Sequence, residues 1–119
     1  MLIKIIEPDF TFKDNRGELT QLVHCGYSQF NIVSSKSGVV RGDHYHKKNT
    51  EVFYVIDGSF AFTASKDGRH ETHIFKKGDM FLVPPFVMHS FRYLEDSIVA
   101  AVYDIGIERA GHTKDIFTE

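Results

Sequence analysis

Three histidines and one glutamate in this chain have the spacing to chelate a metal ion. His44 and His46 are two residues apart, and on an extended strand such side chains leave the same face about 6 to 7 Å apart. Glu51 lies five residues beyond His46, an odd offset that would put it on the opposite face of one straight strand. A turn must therefore bring it back, and Lys47-Lys48-Asn49-Thr50 supplies one, being polar with Asn as its turn former. His89 adds a third imidazole beyond a Pro84-Pro85 corner. Three imidazoles and a carboxylate suit a divalent first-row transition ion (zinc, iron, manganese or nickel) with positions left open for water or substrate, and the donor set does not choose among those ions. Burying Glu51 without a cation or hydrogen-bond partner would cost on the order of several kcal/mol, so an interior Glu51 must have one.

The elements that position these residues read as strands. Apolar side chains recur with period 2 far more often than 3.6, and eleven Phe and five Tyr join many Val and Ile in short runs. Strands are expected over 2–6, 18–25, 30–35, 39–46, 51–56, 59–65, 71–75, 80–83, 89–93 and 97–103. Polar turns separate them, among them Asp14-Asn15-Arg16-Gly17, Asp57-Gly58 and Lys66-Asp67-Gly68. In 51–56 the alternation puts Glu51, Phe53 and Val55 on one interior face; His89, Phe91 and Tyr93 share another. Pro84-Pro85 ends ladder pairing because proline donates no backbone hydrogen bond. The tail, 104–119, has no strong period and room for one short helix or a final strand. Eight or more short strands at this spacing give an all-β barrel or double-sheet sandwich.

At 119 residues the chain is one domain, large enough to hold a core without staples. Its single cysteine, Cys25, has no internal partner and reads as a small buried apolar side chain. The net charge of −2 is spread without a basic stripe, which excludes nucleic acid as a partner. No apolar run reaches the length of a membrane span, and the first residues lack the pattern of a signal peptide, so a cytoplasmic protein is expected.

Two motifs carry a resemblance to the cupin superfamily. The first, over 38–58, is met at Gly38, His44, His46, Glu51 and Gly58; the second, over 78–93, at Gly78, Pro84 and His89. Phe86 stands where the family has Gly, and Tyr93 where it has Asn. The resemblance implies a double-stranded β-helix, or jelly roll. More narrowly, Arg41-Gly42-Asp43-His44-Tyr45-His46 resembles the RGxHxH stretch of sugar-nucleotide 3,4-ketoisomerases and the RGLHYQ stretch of dTDP-4-dehydrorhamnose 3,5-epimerases. Asp14-Asn15-Arg16-Gly17 is similar to the DxRG turn of the epimerases. A likeness also extends to the metal-carrying cupin domain of bifunctional capsular-polysaccharide enzymes.

These resemblances imply a nucleoside-diphosphate 4-keto sugar as substrate, with Arg41 and Arg16 as candidates for its diphosphate, since a guanidinium offers phosphate two parallel donors. In the epimerases the histidine matching His44 is a general base, whereas in metal cupins it is a ligand, and one nitrogen cannot do both. The step from HYQ to HYH and the presence of Glu51 favour the ligand role. Base or acid work would then pass to Tyr103, Tyr54 or His24. Metal-dependent dioxygenase chemistry and a non-catalytic metal- or sugar-binding module are the competing readings. An apolar first strand at a sheet edge further predicts a homodimer in which 1–7 is exchanged or paired across the interface.

Overall fold

The computed structural model describes residues 1–108 and 114–118. Among these residues there are eleven strands, β1 (Lys4–Ile6), β2 (Phe10–Asp14), β3 (Gly17–Gln21), β4 (Gln29–Ser35), β5 (Val40–His44), β6 (Glu51–Asp57), β7 (Ser59–Lys66), β8 (Arg69–Lys76), β9 (Met80–Val83), β10 (Met88–Tyr93) and β11 (Ser97–Tyr103). Among the described residues no helix is long and apolar enough to cross a membrane. The strands form an antiparallel five-stranded sheet, β1-β9-β6-β11-β4, a four-stranded sheet, β5-β10-β7-β8, and a separate two-stranded ladder, β2-β3. The two larger sheets face each other as the expected jelly roll.

Alternation decides what lies between them. Glu51, Phe53 and Val55 of β6 and His89, Phe91 and Tyr93 of β10 are all buried, as side chains that share one face of a pleated strand should be. Phe60, Phe62, Phe75 and Phe81 complete an aromatic interior. Phe75 and Phe81 stack at 4.1 Å between centroids, and Phe62 meets Phe81 at 4.8 Å. Each fully buried Phe contributes about 1.5–3 kcal/mol, and the cluster packs against the His89 ring through Phe53, Phe62 and Phe91. Phe62 also lies nearly parallel to His89 at 6.0 Å.

Two glycines set the site's frame. Gly42 adopts φ +89, and a Cβ there would come 2.9 Å from the His89 carbonyl; β5 and β10 approach this closely only because the side chain is absent. Their register shifts at His89/Ser90, which brings His44 opposite His89. Gly58, also at φ +89, closes the β6–β7 hairpin where a Cβ would run into Ser97 Oγ and the Asp96 carbonyl.

β1 is an edge strand of the five-stranded sheet, paired with β9, and Glu71 Oε1 accepts from the Leu2 and Ile3 amides at 2.7 and 3.3 Å. Other expectations change. The strand expected over 18–25 ends at Gln21, because the chain then turns to lay Leu22, Val23 and Tyr27 on the outer face of the five-stranded sheet, against Val52, Met80 and Val102. Cys25, in that crossing segment, is exposed and not buried. The described part of the tail holds no helix, but Phe117 forms an isolated bridge with Tyr45.

Candidate metal centre

Three elements converge on one point inside the barrel. β5 ends at His44, since Gly42 and then Asp43, at φ +62, bend the chain out of the ladder; His46 therefore sits just past the strand and not on it. Even so, one nitrogen from each of His44, His46 and His89 lies within 4.8 Å of the other two. Glu51, at the start of β6, joins from below. Its Oε1 is 3.1 Å from His46 Nε2 and 3.4 Å from His89 Nε2, and it is only 2 % exposed.

The second nitrogen of each ring fixes its tautomer. His46 Nδ1 lies 2.6 Å from the Asp115 carbonyl, and His89 Nδ1 lies 2.9 Å from the Val87 carbonyl. A carbonyl only accepts, so both Nδ1 atoms carry hydrogen, and in the neutral rings both Nε2 atoms present bare lone pairs to the Glu51 carboxylate. Among the described residues, His89 Nε2 is buried with no hydrogen-bond partner. Lone pairs facing a carboxylate repel unless a cation lies among them. On this donor chemistry the three grouped histidines fit a divalent transition ion, and Glu51 faces two of them, His46 and His89, without belonging to the three-histidine group.

Without a metal, a proton takes part of that place. Burial pushes the Glu51 carboxyl up, but the hydrogen bond from His46 and the neighbouring imidazoles more than offset it and hold it at about 2. Burial lowers His46 while Glu51 raises it, with a net upward shift. His44 goes the other way: burial first, then His89 and His46, bring it down to about 4, so it is neutral near pH 7 with a hydrogen bond to the Gly42 backbone.

The other candidate residues divide. Tyr103 pairs with Glu51 across β11 and β6 and meets the His46 ring edge-on at 5.8 Å; burial, then the Glu51 charge, push its hydroxyl up. Tyr54 lies on the other face of β6, packed with the outer cluster around Val52 and Met80, because it is an odd number of residues from Glu51. His24 is exposed and bound to Asp9. Arg41 bridges the two sheets, its Nε donating to Ser35 Oγ at 2.8 Å and an Nη to the Ser34 carbonyl at 3.3 Å. Arg16 is in the β2–β3 turn, forked on Asp14, in a ladder that joins neither large sheet. His112 lies outside the described residues.

Asp115 and Asn49 carry no chemistry of their own but organise the ligands, and nothing in the unpatterned tail singled Asp115 out. The buried Asp115 carboxylate accepts from the backbone of Lys47, Lys48 and Asn49 at 2.9, 3.0 and 2.9 Å and from Asn49 Nδ2 at 2.9 Å. The only available signal was negative: a polar turn with free amides and no acidic residue of its own before Glu51.

Both departures from the cupin motifs have a physical account. Tyr93 turns its ring inward and stacks on Phe91 at 5.9 Å. Phe86 adopts φ +69, the left-handed region that glycine enters freely, and its amide donates to the His46 carbonyl at 2.6 Å, clasping the second motif to the first. Its half-exposed ring stacks on Tyr45. Phe86→Gly relieves the backbone while Phe86→Ala does not, so urea denaturation should find the Gly variant about 1 kcal/mol more stable than the Ala variant, the reverse of the usual order.

The polysaccharide biosynthesis C-terminal domain family matches residues 12–99. The chain is similar to human (Homo sapiens) 3-hydroxyanthranilate 3,4-dioxygenase, 28% identical over 83 residues, which cover 66% of this chain and 28% of that protein, and to the Danio rerio enzyme of the same name, 30% identical over 54% of this chain and 22% of that one. The matched stretch thus spans less than a third of these relatives' length. Among solved structures, a dTDP-4-dehydrorhamnose 3,5-epimerase from Sulfolobus tokodaii is 28% identical with a TM-score of 0.74, covering 87% of this chain and 70% of that chain. A 3,4-ketoisomerase from Helicobacter canadensis is 17% identical with a TM-score of 0.85, covering 100% and 92%.

Proposed function

The chain belongs to the polysaccharide biosynthesis C-terminal domain family, and from that premise we propose that it is a metal-binding cupin enzyme acting on a nucleotide-linked 4-keto sugar, as an isomerase or epimerase, in the synthesis of surface polysaccharide or a deoxysugar. The observation that carries the metal part is the bare, buried Nε2 of His89 aimed with that of His46 at Glu51. The substrate part is supported by the likeness to the epimerase structure and by the Arg41-Gly42 and Asp14-Asn15-Arg16-Gly17 stretches.

His44, His46, His89 and Glu51 would hold the ion, which when bound supplies Lewis-acid polarisation of a sugar carbonyl. Tyr103, kept protonated beside Glu51, would give a proton to an oxygen at this site. Arg41, anchored on β4 by Nε and one Nη, would offer its remaining donors to a diphosphate. His44 is neutral near pH 7 and only half-buried, so in the metal-free protein it is the group free to accept the proton next to a keto group; as a ligand it cannot.

Incubating the metal-supplemented protein with a dTDP-4-keto sugar in deuterium oxide tests this reading. Solvent deuterium should enter the carbon next to the keto group, and His89→Ala should lose that exchange. Ligand binding without exchange would instead leave a non-catalytic binding module. A second reading, an iron-dependent dioxygenase, is favoured by the match to the 3-hydroxyanthranilate 3,4-dioxygenases together with a donor set that suits ferrous iron. Oxygen uptake that requires ferrous ion would select it.

A further inference from the structure

The four-stranded sheet has an outer face as well as the inner one that carries the histidines. Ser65 of β7 is directly across from Met88 of β10 and His70 of β8, while Ala64, before Ser65, and His89, after Met88, are buried inside the barrel. Alternation therefore sets Ser65, Met88 and His70 side by side on the outside. Among the described residues these three line an open cavity of about 560 Å³, together with Tyr45, Phe86 and the Lys66-Asp67-Gly68 turn, and none of His44, His46, Glu51 and His89 does. That volume is within the range of small-molecule pockets. Two of its walls are aromatic. Tyr45 and Phe86 lie 6.4 Å apart between ring centroids and 27° from parallel, and the Phe86 ring is half-exposed. Phe86 holds φ +69, where glycine is at ease and a side chain is strained. A half-exposed ring buries too little of itself to offset that strain within the fold, which points to a use for the ring at the surface.

Charge completes the picture. Lys66 and Asp67 also line a smaller cavity of about 270 Å³ next to the first, where Arg69 is a further wall. Lys66 and Arg69 face each other across the β7–β8 turn, and among the described residues neither has an ion-pair partner. We propose that this outer cavity is a second binding site, for a planar aromatic ring that carries an anionic group: the ring lies against Phe86 and Tyr45, and the anion is held at the turn by Lys66 and Arg69. The aromatic walls select a flat ring because stacking needs only its π-face. An ammonium and a guanidinium outweigh the single Asp67 carboxylate, and both donate to phosphate or carboxylate oxygens. Ser65 and His70 are left to hydrogen-bond the edge of the ring. The site is independent of the reading given above for the metal centre, since the two lie on opposite faces of β10. A nucleoside phosphate and an aromatic carboxylate share the chemistry it selects.

Titration calorimetry of the full chain with thymidine monophosphate and, separately, with anthranilate tests the site and tells the two sources apart. At least one should bind. Thymidine and anthranilamide, which keep the rings without the anion, and ribose 5-phosphate, which keeps the anion without the aromatic ring, should bind about tenfold more weakly or less. Phe86→Gly retains the amide that donates to the His46 carbonyl and relieves the backbone, so it should stay folded by circular dichroism and still weaken binding about tenfold or more. Replacing Lys66 and Arg69 together by Ala should remove the preference for the charged ring. Thr72→Ala, exposed elsewhere on β8, should bind as the wild type does. Nuclear magnetic resonance locates the ligand: the amide signals of 65–70 and 86–88 should shift. Failure of both charged rings to bind overturns the proposal, as does a ringless phosphate that binds equally well, binding that survives Phe86→Gly, or shifts confined to the amides around Arg41.

Discussion

Glu51→Gln is expected to lower affinity for a divalent first-row ion by about 100-fold or more, since loss of a group that merely orients a ligand already costs 10- to 100-fold. The metal-free protein should respond differently. The substituted side-chain amide can donate an N–H toward the lone pairs of His46 and His89 that Glu51 faces at 3.1 and 3.4 Å, so the metal-free variant should melt within a few degrees of the metal-free wild type. The wild type should gain thermal stability when the ion is added, because a ligand that binds only the folded state stabilises it, and the variant should gain little. A carboxylate kept for structure alone predicts the opposite: a large loss in the metal-free protein and no difference in the response to metal. Affinity should also weaken as pH falls, because protons compete for His46, whose proton Glu51 helps to hold. Isothermal titration of each form, joined to thermal melts with and without ion, reads all three.

Asp115→Ala is expected to cost about 4 kcal/mol. The carboxylate is 4 % exposed and takes three backbone amides and the Asn49 side chain, so its removal leaves four donors short of an acceptor in a buried turn. Asp115→Asn keeps the shape and one acceptor oxygen and should cost about half as much. Burial raises the Asp115 carboxyl, but Asn49 and the amides of Lys47, Lys48 and Asn49 outweigh it and leave a net lowering. A lowered carboxylate gives stability that is complete above its unfolded value and is lost as pH falls through the folded one. The Asp115→Asn penalty should therefore be full near neutral pH and shrink in acid, which urea unfolding at both conditions will show. Metal affinity should fall as well, because the turn from Lys47 to Thr50 sets the spacing of His46 and Glu51 and the Asp115 carbonyl orients the His46 ring.

The contrast between these two residues shows what was readable in the chain. Glu51 announced itself: alternation placed it with Phe53 and Val55 on an inward face, and a polar turn was enough to return it toward His46. His89 followed from the Pro84-Pro85 corner by the same alternation through Phe91 and Tyr93. Strand order and pairing follow local patterns because apolar side chains must alternate to reach the interior. Asp115 could not be read, since its effect depends on a fold contact between the tail and a turn more than sixty residues earlier, and no periodicity marks it. Nor was it legible that β5 would stop at His44, because the bend arises where Gly42 meets the His89 carbonyl across the ladder. The alternation that turns Glu51, Phe53 and Val55 inward sends Tyr54 to the other face, where it packs with the outer cluster around Val52 and Met80, so its place away from the site was legible in the same pattern.

The central claim is that His44, His46, Glu51 and His89 hold a metal ion. Elemental analysis of protein purified without chelator and without a nickel resin, beside a His89→Ala control prepared in parallel, tests it most directly. The account predicts about one equivalent of a divalent first-row ion in the wild type and almost none in the control. A wild type that comes out metal-free, and that gains no thermal stability from added zinc, iron, manganese or nickel, would contradict it and return His44 to the role of a base.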